Sequence, residues 1–202
     1  MGVSNRNRNR VISNVTVITQ PTIEPVTLAE VKEVLRISNV DDDDLIDGYI
    51  RTARIWAENY TDLYFMTQVI EITMDTWPGY VIALGSWPIQ SVDSVKYDDT
   101  SSPITEQTLT ENTDYYVDVV SPCGFIDMID TLPSLTTRPN AVKIRLTVGY
   151  EVVSVSPEDL RNGVPESIKT AIKLYVKSLY DSDPCTEATA RAVIHHMRNK
   201  CV

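Results

Sequence analysis

The chain has 202 residues, 43% of them hydrophobic, and a net charge of −10, which fits a soluble globular protein with one core or a core and a small insert. No apolar run approaches the roughly 20 residues of a membrane helix, and none follows the basic start as a secretory signal would require. The charge is uneven: Arg6, Arg8 and Arg10 at one end and Arg191, Arg198 and Lys200 at the other leave −16 on residues 11–190, and an acidic body is poorly suited to wrapping DNA.

Residues 1–10, with their Asn-Arg repeat, have no apolar period and read as a tail. Val15–Ile18 can form a short strand, and Pro21 and Pro25 then impose an extended entry. The first helix is predicted from Thr27, because Thr27 and Glu30 have capping-box spacing and Leu28, Val31, Val34 and Leu35 make an apolar stripe. Asp41, Asp42, Asp43 and Asp44 precede a second helix over about residues 42–60, where carboxylates favour the positive N-terminal end. Its stripe is Leu45, Ile46, Tyr49, Ile50, Ala53, Trp56, Ala57 and Tyr60. After Thr67 the period changes to two. Alternating runs begin at Val69, Ser91, Tyr115 and Val142, with turn signals at Trp77-Pro78-Gly79, Asp98-Asp99 and Pro122-Cys123-Gly124. No helix separates these runs, so an antiparallel meander or barrel-like β-segment is expected.

Helical spacing returns at Pro165-Glu166, with Ile168, Ala171, Ile172, Tyr175, Val176 and Leu179 as the buried stripe. Asp183-Pro184 punctuates, and a last helix is predicted over about 185–198. The expected fold is α+β: an antiparallel α-helical bundle of two N-terminal and two C-terminal helices with an inserted antiparallel β-domain. The expected divisions are a tail or extension at 1–24, a bundle at 25–66 and 160–202, and a β-domain at 67–159.

Chemistry-bearing motifs are scarce. The sequence has no Gly-x-Gly-x-x-Gly, P-loop or Gly-x-Ser-x-Gly. Its two histidines, His195 and His196, are adjacent, so on a helix they point about 100° apart and cannot share a metal as an i, i+4 pair can. Asp41–Asp44 lacks the glycine and closing glutamate of a calcium loop. Cys123, Cys185 and Cys201 have no CxxC spacing, so free thiols are expected. Lys169, Lys173 and Lys177 form one polar helix face, either solvated or set against an acidic helix of a neighbour. No catalytic residue, metal or cofactor is expected.

Several blocks, taken in order, carry a resemblance. They are Glu24-Pro25-Val26-Thr27-Leu28-Ala29-Glu30-Val31-Lys32 and Leu35-Arg36-Ile37, the acidic run with Leu45-Ile46, and Ala53-Arg54-Ile55-Trp56-Ala57-Glu58. Trp77-Pro78, Trp87-Pro88-Ile89-Gln90-Ser91-Val92, Arg138-Pro139-Asn140-Ala141-Val142, Gly149-Tyr150 and Val164-Pro165-Glu166-Ser167-Ile168 follow. Over about residues 17–182 this order resembles the head–tail connector (adaptor) proteins of long-tailed double-stranded DNA phages and related gene-transfer particles. Residues 98–137 match loosely, and the Asn-Arg tail lies outside the pattern.

The resemblance implies a structural subunit, made in the bacterial cytoplasm and placed in the virion neck. It implies a homo-oligomeric ring, dodecameric in this family, beneath the portal protein. Such a ring extends the DNA channel and offers a platform for stopper or tail completion proteins. Double-stranded DNA would pass an acidic lining without specific binding. The family's C-terminal segment engages the portal; here that maps to Arg191, Val193, Ile194, Met197, Arg198 and Lys200, apolar anchors with basic flanks. The acidic run Asp41–Asp44 is a candidate for subunit contact or channel lining. Two alternatives remain: a stopper or tail-completion protein, which is usually smaller and mostly β, and a metal-dependent enzyme of DNA packaging, which needs clustered carboxylates with a partner base.

Overall fold

The structure, a computed structural model, describes residues 13–85, 88–121, 123–150, 161 and 163–198. Its elements in chain order are β1 (Ser13–Thr19), α1 (Leu28–Leu35), α2 (Asp43–Thr61), β2 (Gln68–Met74), β3 (Val81–Ala83), β4 (Ile89–Asp98), β5 (Glu106–Leu109), β6 (Tyr115–Asp118), β7 (Phe125–Met128), β8 (Val142–Val148), α3 (Glu166–Asp181) and α4 (Pro184–Ile194), followed by a 3-10 turn at His195–Met197. The fold is mixed α+β with antiparallel sheets.

The helices begin where local chemistry directs. Thr27 accepts a hydrogen bond from the Glu30 backbone N–H (3.2 Å), and Glu30 accepts one from the Thr27 N–H (2.7 Å), closing the predicted capping box. Asp183 accepts from the Cys185 N–H and the Thr186 hydroxyl, and Pro184 opens α4 without losing a helical donor. The buried positions of α2, Ile46, Ile50, Ala53 and Ala57, follow the helical period. Helix α3 packs against α1, α2 and α4. Around it lies one core holding Val31, Phe65, Ile168, Ile172 and Ile194.

A second, separate core lies in the β-layer. A five-stranded sheet has the order β1-β2-β8-β4-β5, and a three-stranded sheet has the order β3-β7-β6. Ile70, Ile144 and Leu146 of the larger sheet and Ile82 and Ile126 of the smaller one are buried together. The pairing is not a meander: β8 inserts between β2 and β4. Alternation marks which residues are strands, but it carries no information about which strands pair. β1 extends the larger sheet through Ser13↔Met74 and Val15↔Ile72, so part of the segment expected as a tail or extension is built into the β-layer.

The β-segment leaves and re-enters the helical layer at one place. Gln68 at the start of β2 pairs with Val148 at the end of β8. Beside them the Tyr150 N–H donates to the Phe65 carbonyl. Gly149 sits there with φ +114°, and a Cβ on it would lie 2.4 Å from the Met66 carbonyl oxygen, so the close approach of these two segments needs glycine.

One cysteine differs from expectation. Cys185 is free and exposed, but Cys123 is disulfide-bonded. Spacing argued against a disulfide framework and a zinc site; it does not exclude one pair brought together by the fold.

Candidate functional site

Two of the C-terminal residues singled out from the sequence, Arg191 and Arg198, come together on an aromatic surface of α2 and α3. Trp56 and Tyr175 stack at 4.0 Å between ring centroids, and Tyr60 lies 6.0 Å from Trp56 in a nearly parallel plane. Arg191 lies 5.9 Å from the Trp56 centroid and 5.8 Å from that of Tyr60, while Arg198 lies 5.7 Å from Tyr60. These are cation–π distances. The Tyr60 hydroxyl is 2.9 Å from His195 Nδ1. Glu187, one turn before Arg191, binds its guanidinium at 2.8 Å, and this hydrogen bond first of all raises the Arg191 pKa. Burial pushes the Tyr175 phenol up. Arg198 forms no ion pair among the described residues.

The expected apolar anchors lie elsewhere. Ile194 is fully buried, and Val193 and Met197 pack against the helical core. They hold the C-terminal segment to its own chain, because residues at i, i+3 and i+4 share the inward face. What the segment presents outward is Arg191, Arg198, His195 and His196. Lys200 lies outside the described residues.

The acidic run is divided between jobs. Asp43 pairs with Lys32 at 2.6 Å, tying α1 to α2. Asp42 accepts from the Tyr180 hydroxyl at 2.7 Å, tying α2 to α3. Asp42 is the N-cap residue of α2 but forms no side-chain cap; its carboxylate is turned to Tyr180 instead. Asp41 accepts from Asn39, and Asp44 is exposed in the first helical turn. The lysine stripe is also spent within the chain. Lys169 is buried and pairs with Glu166, Lys173 lies 3.9 Å from Glu30, and Lys177 pairs with Asp181.

A buried ion-pair cluster escaped sequence reasoning. Arg54 is 5% exposed and binds Glu24 and Glu58, each at 2.8 Å. Glu58 also accepts from the Phe65 N–H (3.0 Å) and the Gln68 amide (3.2 Å), at the entry to β2. Arg161 donates to the Glu24 carbonyl. Burial raises the Glu58 pKa, opposed by Arg54 and by the Phe65 N–H. The available signal was an arginine on the border of an apolar stripe, beside Ala53, with a glutamate at i+4.

This arrangement places two guanidinium groups over ring faces at the surface of the helical layer. Residues 25–87 match the family model of the phage gp6-like head-tail connector protein. The resemblance to head–tail connectors stands. Solved structures share the fold of the chain. It is similar to a chain in the neck of an empty gene transfer agent (GTA) particle computed with C6 symmetry (TM-score 0.72, 17% identity, 92% of this chain and 95% of that chain). It is similar to one in the virion of a native gene transfer agent particle (0.71, 18%, 92% and 95%) and to one in the neck of a native particle computed with C12 symmetry (0.69, 17%, 92% and 95%). At these identities the likeness is one of fold, over nearly the whole of both chains. No curated protein matches in sequence.

Proposed function

We propose that this chain is a structural head–tail connector subunit of a phage-type neck and not an enzyme. It assembles into a ring, dodecameric by analogy, beneath a portal protein. The ring extends the DNA channel and carries stopper or tail completion proteins. The observation that supports this best is the fold likeness, over 92% of the chain, to chains of neck particles computed with C12 and C6 symmetry, joined to the connector-family match over residues 25–87. The −10 net charge fits a conduit that does not grip its polyanionic cargo.

In this reading the helices form the antiparallel bundle (25–66 with 160–202), residues 67–159 form an inserted β-domain, and 1–24 is an extension. Arg191 and Arg198, with Lys200 beyond them, meet carboxylates of the portal, while Val193, Ile194 and Met197 secure the segment that presents them. Asp41 and Asp44 are the acids of the run left to face a neighbouring subunit or the channel. The lysine stripe serves the subunit's own fold.

The test is the mass of the purified protein, alone and mixed with its portal ring. A ring, either free or formed on the portal, supports the reading. A monomer that ignores the portal overturns it.

A further inference from the structure

We propose that the outer face of the three-stranded sheet is a docking surface for the arginine-bearing N-terminal segment, residues 1–12, of the same chain. The proposal does not depend on the neck reading. The inner face of this sheet is buried through Ile82 and Ile126. On the outer face Val81 and Tyr116 flank Asp127 in register across the three strands. Val81 is 58% exposed and Tyr116 55%, and Val120, two residues past the end of β6, is 91% exposed, so large apolar and aromatic side chains lie open on and beside this face. Asp127 forms no ion pair and accepts no hydrogen bond among the described residues. Between Lys96 and Arg138 the sequence has no lysine or arginine. The face is therefore apolar and acidic, without a cation of its own.

Its complement in charge is residues 1–12, which carry Arg6, Arg8 and Arg10, the apolar Val3, Val11 and Ile12, and no acid. Where that segment begins also fits. Ser13 pairs with Met74, and one short loop, residues 75–80, leads from Met74 into β3. Twelve extended residues reach up to about 40 Å, while three strands are crossed in about 10 Å. A tethered segment meets the face at high effective concentration, which favours the chain's own segment over a neighbour's.

The experiment uses the full chain with a photoreactive benzophenone amino acid at Asn7, with crosslinks mapped by mass spectrometry. Expected are crosslinks within one chain to residues 80–83 or 116–127. Their yield should fall severalfold with Arg6→Gln, Arg8→Gln and Arg10→Gln together, with Asp127→Lys, and in about 1 M salt, where the Debye length is roughly 3 Å. Asp127 is exposed, so Asp127→Lys keeps the fold, which near-UV circular dichroism checks. Crosslinks to the helical layer, crosslinks between chains, no crosslinks at all, or yields indifferent to both charge changes overturn the proposal.

Discussion

The helical layer and the β-layer treat charge in opposite ways. In the helical layer several cations are held in pairs that tie one element to another or to itself: Lys32 on Asp43, Arg54 on Glu24 and Glu58, Lys169 on Glu166, Arg191 on Glu187. In the β-layer the cations form a solvated ladder on one side of the large sheet, where Lys96 and Lys143 share Glu106 and Arg145 meets Glu71, and the small sheet has none. Hydrogen bonds from Lys143 and then Lys96 hold Glu106 down at about 2. Exposed ladders of this kind contribute little to stability. Buried pairs are different, because removing one partner strands the other. The comparison teaches where the two layers are joined: at Arg54 and at Gly149, not at their surfaces.

Arg54→Ala should have the largest effect. It leaves Glu24 and Glu58 facing each other without their shared cation. Urea unfolding should show a loss of about 3–5 kcal/mol, the scale for breaking a buried pair. An exposed ladder change such as Arg145→Ala should cost about 0.5 kcal/mol or less. Equal losses from the two would mean that the layers are not joined as described.

Gly149→Ala should come next. The new Cβ would meet the Met66 carbonyl at 2.4 Å in a left-handed conformation, costing about 3 kcal/mol from strain and crowding together. The same change at Gly48, mid-helix with open space around its Cβ, should instead stabilise by about 0.5–1 kcal/mol. A Gly149→Ala protein as stable as wild type would remove this crossing from the account of the joint.

The sequence made the helical layer readable and left the joint hidden, for physical reasons. Thr27 and Glu30 act on each other within one turn, so their spacing states their contact. The stripes of α2 and α3 follow the helical period over several turns. The short strands β3, β5 and β7 are too brief for alternation to stand out, and the loosely matching stretch 98–137 contains two of them. Arg54 was not singled out because one of its partners lies 30 residues upstream, where no local spacing links the two. Val193, Ile194 and Met197 were visible as apolar; only the fold decides that they turn inward.

Glu58 separates the joint's charge from its shape. Its folded pKa is raised above the usual 4.5 chiefly by burial. The folded state therefore holds this proton to higher pH than the unfolded chain does. Its contribution is fully present below 4.5 and is lost as pH rises through the folded value. Glu58→Gln keeps an acceptor for the Phe65 N–H and removes the titration. Stability measured against pH should then fall less steeply above 4.5 in the variant than in wild type. Identical slopes would show that Glu58 does not titrate differently on folding.

Arg191 should give the smallest stability change and the most informative contrast. Its side chain is half exposed and its pair with Glu187 is a surface i, i+4 pair. Losing both that pair and its contacts with Trp56 and Tyr60 should cost about 1 kcal/mol. Arg191→Lys restores charge without the flat guanidinium, so it should recover the ion pair and little of the ring contact. If the cations at this end serve docking, Arg191→Ala and Arg198→Ala should weaken portal association far more than they lower the unfolding free energy, with the deficit shrinking at high salt. If binding and stability fall in proportion, the cluster is only the seam that closes α4 onto α2, and the docking surface must be sought elsewhere on the chain.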